Sequence, residues 1–301
     1  MSNFTQKEYF VKLKDISLDV LETFPAHATN PEDLPVVLCL HGFPDNKHSF
    51  DKQLEAFTGA GYRVIAPGLP GYCPESVSPA TPSKWQLGMQ MAEFMDALDL
   101  NDVQLVAHDW GSYLAAELIY HMPERIQTAT VMAFLPFDVI PTPPPYEEMM
   151  QYALRNWYNF MLRIDGYSDR ALAVNDYELI EVLWRIWSPA WHFTDSELEQ
   201  VKETFRKPNV AAAATNYYKE LGKPQREGEP SLLDVCTSPN KVPMLYIAGE
   251  LDGCINPASV KRVKDTIYTK GVTLKMVQTG HFPHREAPEE VSRLILEHWK
   301  N

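Results

Sequence analysis

The chain has 301 residues and 45% hydrophobic content, enough for one large α/β domain that buries a substantial core and carries an insertion. Its net charge of −13 argues against nucleic acid and against an anionic membrane surface as partners. No stretch approaches transmembrane length, Met1–Lys7 carries no apolar run of the signal-peptide kind, and the cysteines Cys39, Cys73, Cys236 and Cys254 lack metal-ligand spacing. A cytoplasmic protein with reduced thiols is therefore expected.

In chain order, 10–13 and 18–24 alternate apolar and polar residues and predict two antiparallel strands. The continuous apolar run 35–40 predicts a strand buried on both faces, ending in His41-Gly42-Phe43-Pro44. Helical spacing covers 49–57 until Gly61, and a second buried strand covers 62–66. An amphipathic helix over 84–98 leads to a β-branched run at Val103–His108, a helix to about Met122 and a strand over 126–134. Short apolar strands alternating with helices predict a mostly parallel sheet covered on both faces. At Phe137 the pattern changes. A stiff Pro141-Thr142-Pro143-Pro144-Pro145 stretch opens a helical, aromatic-rich region to about Leu233, with a capping box at Thr194-Asp195-Ser196-Glu197. The expected organisation is a core over 1–136, a helical lid over 137–233 and the rest of the core over 234–301. Strands over 242–249 and 272–277 alternate with helices over 258–268 and 288–299.

The strand at Val103 passes straight into a helix through Ala107-His108-Asp109-Trp110-Gly111. Such a small-x-nucleophile-x-small turn is a nucleophile elbow, with small residues where strand and helix pack closely. Its central residue is Asp109, not Ser. A carboxylate is already ionised and is favoured at a helix N-terminus, so it attacks without a base beside it. It suits a tetrahedral carbon bearing a leaving group, because the product is an ordinary ester. Asp252 and His281 also follow predicted strands, and Asp109, Asp252, His281 run in the order nucleophile, acid, base. Asp138 competes with Asp252 for the acid role, and its simpler reading is a linker carboxylate. His108 should point away from the nucleophile, and His284 reads as a surface or supporting residue.

His41-Gly42-Phe43-Pro44, His108-Asp109-Trp110-Gly111 and Gly280-His281-Phe282 together resemble the α/β-hydrolase superfamily, and within it the epoxide hydrolase and haloalkane dehalogenase branch. The resemblance spans the sheet domain on both sides of the lid. It implies an α/β-hydrolase fold, a mostly parallel central sheet flanked by helices with an inserted helical lid. It also implies that the backbone N–H groups of Phe43 and Trp110 form the oxyanion hole, and that Phe43-Pro44 is a cis peptide. His281 would activate a water while Asp252 fixes its tautomer.

The electrophile is read from the remaining residues. The chain has Phe43 where haloalkane dehalogenases usually carry Asn, and it lacks the Arg that follows the nucleophile of fluoroacetate dehalogenases. Asn156-Trp157-Tyr158 and Thr215-Asn216-Tyr217-Tyr218 look like the lid-tyrosine segments of epoxide hydrolases. Tyr158 and Tyr218 would then protonate the leaving alkoxide, with Tyr217 as the less favoured neighbour. The reading is an epoxide hydrolase, a hydrolase acting on ether bonds, that takes a small apolar epoxide and water. Phe43, Trp110, Trp157 and Phe282 line its pocket. It needs no cofactor or metal and engages no nucleic acid or membrane, and a homodimer is left open. A dehalogenase using the same Asp109 and a weakly catalytic binding protein remain as alternatives.

Overall fold

The computed structural model describes residues 3–134, 145–221, 223–231, 234–235, 238–262 and 271–300. Eight strands form one sheet: β1 (Phe4–Lys12), β2 (Ser17–Pro25), β3 (Val36–Leu40), β4 (Arg63–Pro67), β5 (Val103–His108), β6 (Ile126–Met132), β7 (Met244–Gly249) and β8 (Val272–Val277). Their order across the sheet is β1-β2-β4-β3-β5-β6-β7-β8. β2 pairs antiparallel with both β1 and β4, and every other pairing is parallel.

The two-residue period of a strand sends alternate side chains to opposite cores. Leu38 and Leu40 of β3 join Leu105 and Ala107 of β5 in the larger core, which also takes Leu87, Met91 and Phe94 of α2 (Lys84–Ala97) and Leu114 and Leu118 of α3 (Trp110–His121). Val37 and Cys39 of the same strand face the opposite way. There they pack with Val64 and Val106, Phe57 of α1 (Leu54–Gly59), and Val291 and Ile295 of the last helix, Pro288–His298. Burying each such side chain is worth about 1.5–3 kcal/mol, so the sheet is held from both sides. This two-sided cover is why β3 and β5 read as unbroken apolar runs.

Five helices, α4 (Tyr146–Arg155), α5 (Trp157–Leu162), α6 (Ser168–Trp187), α7 (Asp195–Arg206) and α8 (Val210–Leu221), fall in sequence between β6 and β7. These two strands are nonetheless hydrogen-bonded neighbours, with Ala129 opposite Met244, so the helices are an insertion in a continuous sheet. The insertion is tied to the loops that follow β3 and β4. Trp184 Nε1 donates to Pro44 O at 3.0 Å, Tyr217 Oη donates to Pro70 O at 2.8 Å, and Asn46 Nδ2 donates to Thr204 Oγ1 at 3.0 Å. The expected boundaries near 136 and 233, and the competing Asp138, lie outside the described residues.

Several elements differ from the sequence reading. β1 begins at Phe4 rather than Phe10, because Thr5–Glu8 of this edge strand are exposed on both faces and leave no apolar alternation to read. The helical spacing over 49–57 resolves into a 3₁₀ turn at Asp51–Gln53 followed by α1. β6 stops at Met132 rather than Phe134, because Ala133 turns to a φ of 57°. α6 also breaks internally, where Asn175, Asp176 and Tyr177 take φ values of 48°, 56° and 60°.

Candidate active site

Asp109 sits at the junction of β5 and α3 with φ 50° and ψ −120°, a backbone conformation that costs energy in any residue with a side chain. The surrounding packing imposes it. Asp109 N donates to Met132 O at 2.9 Å, and its own carbonyl accepts Ser112 N at 2.9 Å as the first turn of α3. A Cβ on Gly111 would lie 2.1 Å from Leu40 O, and one on Gly42 would lie 2.4 Å from Asp109 Cβ, so both positions exclude any side chain. The carboxylate therefore stands at the carboxyl edge of the sheet over a helix N-terminus, where its charge is favoured. Its Oδ1 accepts the Phe43 N–H at 2.8 Å. Phe43-Pro44 is a cis peptide, as the resemblance implied.

The other two groups of the predicted order meet Asp109. Asp252 follows β7, is 4% exposed, and is held by the N–H groups of Cys254 at 2.7 Å and Ile255 at 2.9 Å. Both Asp252 oxygens face His281 Nδ1, at 3.1 and 3.2 Å. His281 is fully buried, and its Nε2 lies 3.7 Å from Asp109 Oδ2, a distance of ion pairing rather than hydrogen bonding. Burial disfavours a charged His281, but the Asp252 and Asp109 carboxylates outweigh it and raise the ring to about 10. Burial likewise opposes ionisation of Asp109, but His281, His108 and the Phe43 N–H hold it below the usual carboxylate range. Asp252 and Asp109 thus both favour the protonated His281 ring.

Aromatic rings close the circuit. Tyr218 of α8 lies edge-on to Phe43 and Trp110, with centroids 5.1 and 5.3 Å apart. Tyr158 of α5 lies 5.8 Å from Tyr218 and 4.9 Å from Trp187, and Trp187 lies 4.9 Å from His281. Burial raises both the Tyr158 and Tyr218 phenols well above their ordinary value, and the nearby Asp109 charge adds to this. They stay protonated and can act only as donors or neutral acceptors near neutral pH. Tyr158 Oη makes a long contact to Asn156 Oδ1 at 3.4 Å and a weak hydrogen bond with Cys254 Sγ at 3.4 Å. Tyr217 is committed elsewhere, through its bond to Pro70 O.

Not every expected residue joins this group. Trp157 is 40% exposed, against 4% for Tyr158. Consecutive helix positions point roughly 100° apart, so α5 can turn only one of the two inward. Phe282 is fully buried, as Phe43 is, and packs against Trp184, Trp191 and His108, with its ring edge-on to His281 at 5.2 Å. His108 Nε2 donates to His281 O at 2.9 Å, which turns its ring toward the histidine loop. Burial, with the His281 charge, lowers His108 to about 4. His284 is not a surface residue. It is fully buried, stacked on Phe50 at 4.7 Å, and its Nε2 bonds Ser49 Oγ at 2.8 Å. Cys254 and Trp187 were not singled out in the sequence. Both are placed against Tyr158 by contacts between distant segments, which no local pattern signals. Among the described residues, no group of three or more His, Cys, Asp or Glu could hold a metal ion, and no helix is long and apolar enough to cross a membrane.

An elbow aspartate after β5, a carboxylate after β7 and a histidine after β8 define a class, and the chain belongs to it: a model of the α/β-hydrolase fold matches residues 35–288. The chain is 25% identical to the AB hydrolase superfamily protein YfhM of Bacillus subtilis, over 97% of each chain. It is 26% identical to Epoxide hydrolase 4 of Mus musculus, covering 95% of this chain and 77% of that protein. Similar solved structures include an epoxide hydrolase from Vigna radiata (TM-score 0.75, 23% identity, 98% of both chains) and a laboratory-evolved variant of potato epoxide hydrolase (TM-score 0.77, 20% identity, 98% of this chain and 99% of that one). At these identities the structural likeness speaks for the fold.

Proposed function

We propose that this protein is an epoxide hydrolase that opens a small apolar epoxide to a vicinal diol. The observation that carries the proposal is the pair of buried tyrosines Tyr158 and Tyr218, whose rings lie 5.8 Å apart and whose phenols both feel the Asp109 charge. A halide leaves without a proton, whereas an opening epoxide places charge on an oxygen that needs a donor. The curated relatives named epoxide hydrolases, at about 25% identity, support the same direction.

Asp109 Oδ2 attacks a ring carbon and breaks its C–O bond, while Tyr158 and Tyr218 donate to the departing oxygen and one phenol gives up its proton. The product is an ester whose carbonyl oxygen, the former Oδ1, stays on the Phe43 N–H. Ester formation removes one of the two charges that hold His281 protonated, so the ring gives up its proton, which restores the tyrosinate to a phenol and leaves a neutral imidazole to act as the base. His281 then takes a proton from water, and the hydroxide equivalent attacks the ester carbonyl. The Phe43 and Trp110 N–H groups stabilise the oxyanion; its collapse breaks the ester C–O bond, the departing alkoxide takes the proton of the new carboxyl group, and Asp109 returns as a carboxylate as the diol leaves. Asp252 keeps Nδ1–H in place, so that Nε2 faces the water.

The test is a panel of styrene-type epoxides and haloalkanes, scored for diol against halide. Diol from epoxides with no halide release supports the proposal; halide release with no diol overturns it in favour of dehalogenation.

A further inference from the structure

Asp252 and His281 lie on separate loops, and the end of α6 grips both. Trp187 O accepts Gly253 N at 2.9 Å, next to the acid, and His281 N at 3.1 Å, at the base itself. Both loops come close because they carry glycine. A Cβ on Gly253 would lie 1.9 Å from Ile186 O, and one on Gly280 would lie 2.4 Å from Ser188 Cα. The following residue continues the grip. Ser188 is 1% exposed, and its Oγ accepts His281 N at 2.9 Å and donates to Glu286 Oε1 at 2.6 Å. The Glu286 carboxylate also accepts Phe282 N at 3.0 Å and Gly280 N at 2.7 Å. All three backbone N–H groups of the histidine turn thus end on one carboxylate, two directly and one through Ser188.

We propose that Ser188 and Glu286 are positioning residues for His281, and that through them the end of α6 sets the Asp252–His281 pair. This rests on the reading of His281 as the water-activating base. Charge-assisted bonds are the stronger kind, and two on one short turn, with Ser188 held to the same carboxylate beneath the third N–H, leave its backbone little freedom. The ring that hangs from this turn must stay within reach of both Asp252 oxygens at one end and of the Asp109 ester at the other. Asp109 itself is fixed from other loops, by β5, α3 and the Phe43 N–H, so loosening the histidine turn separates the two chemical steps. Ester formation continues and ester hydrolysis slows. A misplacement of about 1 Å can cost roughly 10²-fold.

The experiment uses full-length Ser188→Ala and Glu286→Gln variants. Single-turnover kinetics with a styrene-type epoxide resolve ester formation from hydrolysis, and proton NMR follows the titration of the His281 ring. In both variants hydrolysis should slow about 10- to 100-fold, with ester formation within about twofold of the parent. The His281 pKa should fall as its contact with Asp252 loosens. Equal loss in both steps, or an unchanged His281 titration, overturns the proposal in favour of a purely structural tie. If the parent forms no ester, the functional reading fails, and the His281 titration alone decides the positioning role.

Discussion

Replacing the phenols of Tyr158 and Tyr218 by phenyl rings should nearly abolish ring opening and leave the fold intact. The hydroxyl of Tyr158 lies 3.4 Å from Asn156 Oδ1, at the limit of hydrogen bonding, and 3.4 Å from Cys254 Sγ, an ordinary distance for a weak bond to sulfur, so its loss should cost about 1 kcal/mol of stability. Phe keeps the ring contacts, 4.9 Å to Trp187 for Tyr158 and 5.1 Å to Phe43 for Tyr218. In the transition state the balance differs. Each donation to the developing alkoxide is worth about 1.5–3 kcal/mol, so losing one phenol should slow ester formation about 10- to 100-fold. The two rings lie 5.8 Å apart and serve one oxygen, so in either single variant the remaining phenol partly compensates and the double variant exceeds the sum. Tyr217→Phe is the internal control. It removes a 2.8 Å bond to Pro70 O and should cost about 1–3 kcal/mol of stability, with ester formation unchanged. The assay is single-turnover alkylation of Asp109, with thermal unfolding of each variant in parallel. If the double variant opens epoxides at the parent rate, or if Tyr217→Phe slows alkylation as Tyr218→Phe does, the phenols are packing residues and the epoxide reading loses its support.

Two further predictions concern the charges. Asp252→Asn removes the largest favourable influence on the His281 ring and should cut steady-state turnover by roughly 10⁴-fold, whereas Asp138→Asn should leave turnover intact; the reverse pattern would move the acid to the strand after the elbow. Because folding raises His281 from 6.5 to about 10, its ionisation stabilises the fold fully below its unfolded pKa, and this contribution is lost as pH rises toward 10. The gap in melting temperature between the parent and His281→Gln should therefore narrow steadily from pH 7 to pH 10, and a gap that stays flat over that range would show that the ring is neutral in the folded protein.

How much of this could be read from the sequence depended on how local the physics is. β3 and β5 were legible because strands covered on both faces are apolar throughout, whereas β1 was legible only at its end because most of its residues face water on both sides. Asp109 was legible because the elbow's constraint lies within a few residues, with Gly111 pressed on Leu40 O. Asp252 and His281 were legible from their places after strands. The roles of Trp187, Ser188 and Glu286 were not, because they exist only where the end of α6 meets the loops after β7 and β8. Trp157 against Tyr158 was a choice of helix face, which depends on how α5 is seated rather than on its composition. The burial of His284 follows from Ser49 and Phe50, which are far away in the chain.

The central claim is that Asp109 forms a covalent ester that His281 is needed to hydrolyse. Mass spectrometry of His281→Gln after mixing with a styrene-type epoxide tests it most directly, with peptide mapping of the adduct. One substrate mass should accumulate on the variant and map to Asp109, while the parent returns to its free mass as diol appears. No adduct in the variant, or an adduct on any other residue such as Cys254, would contradict it.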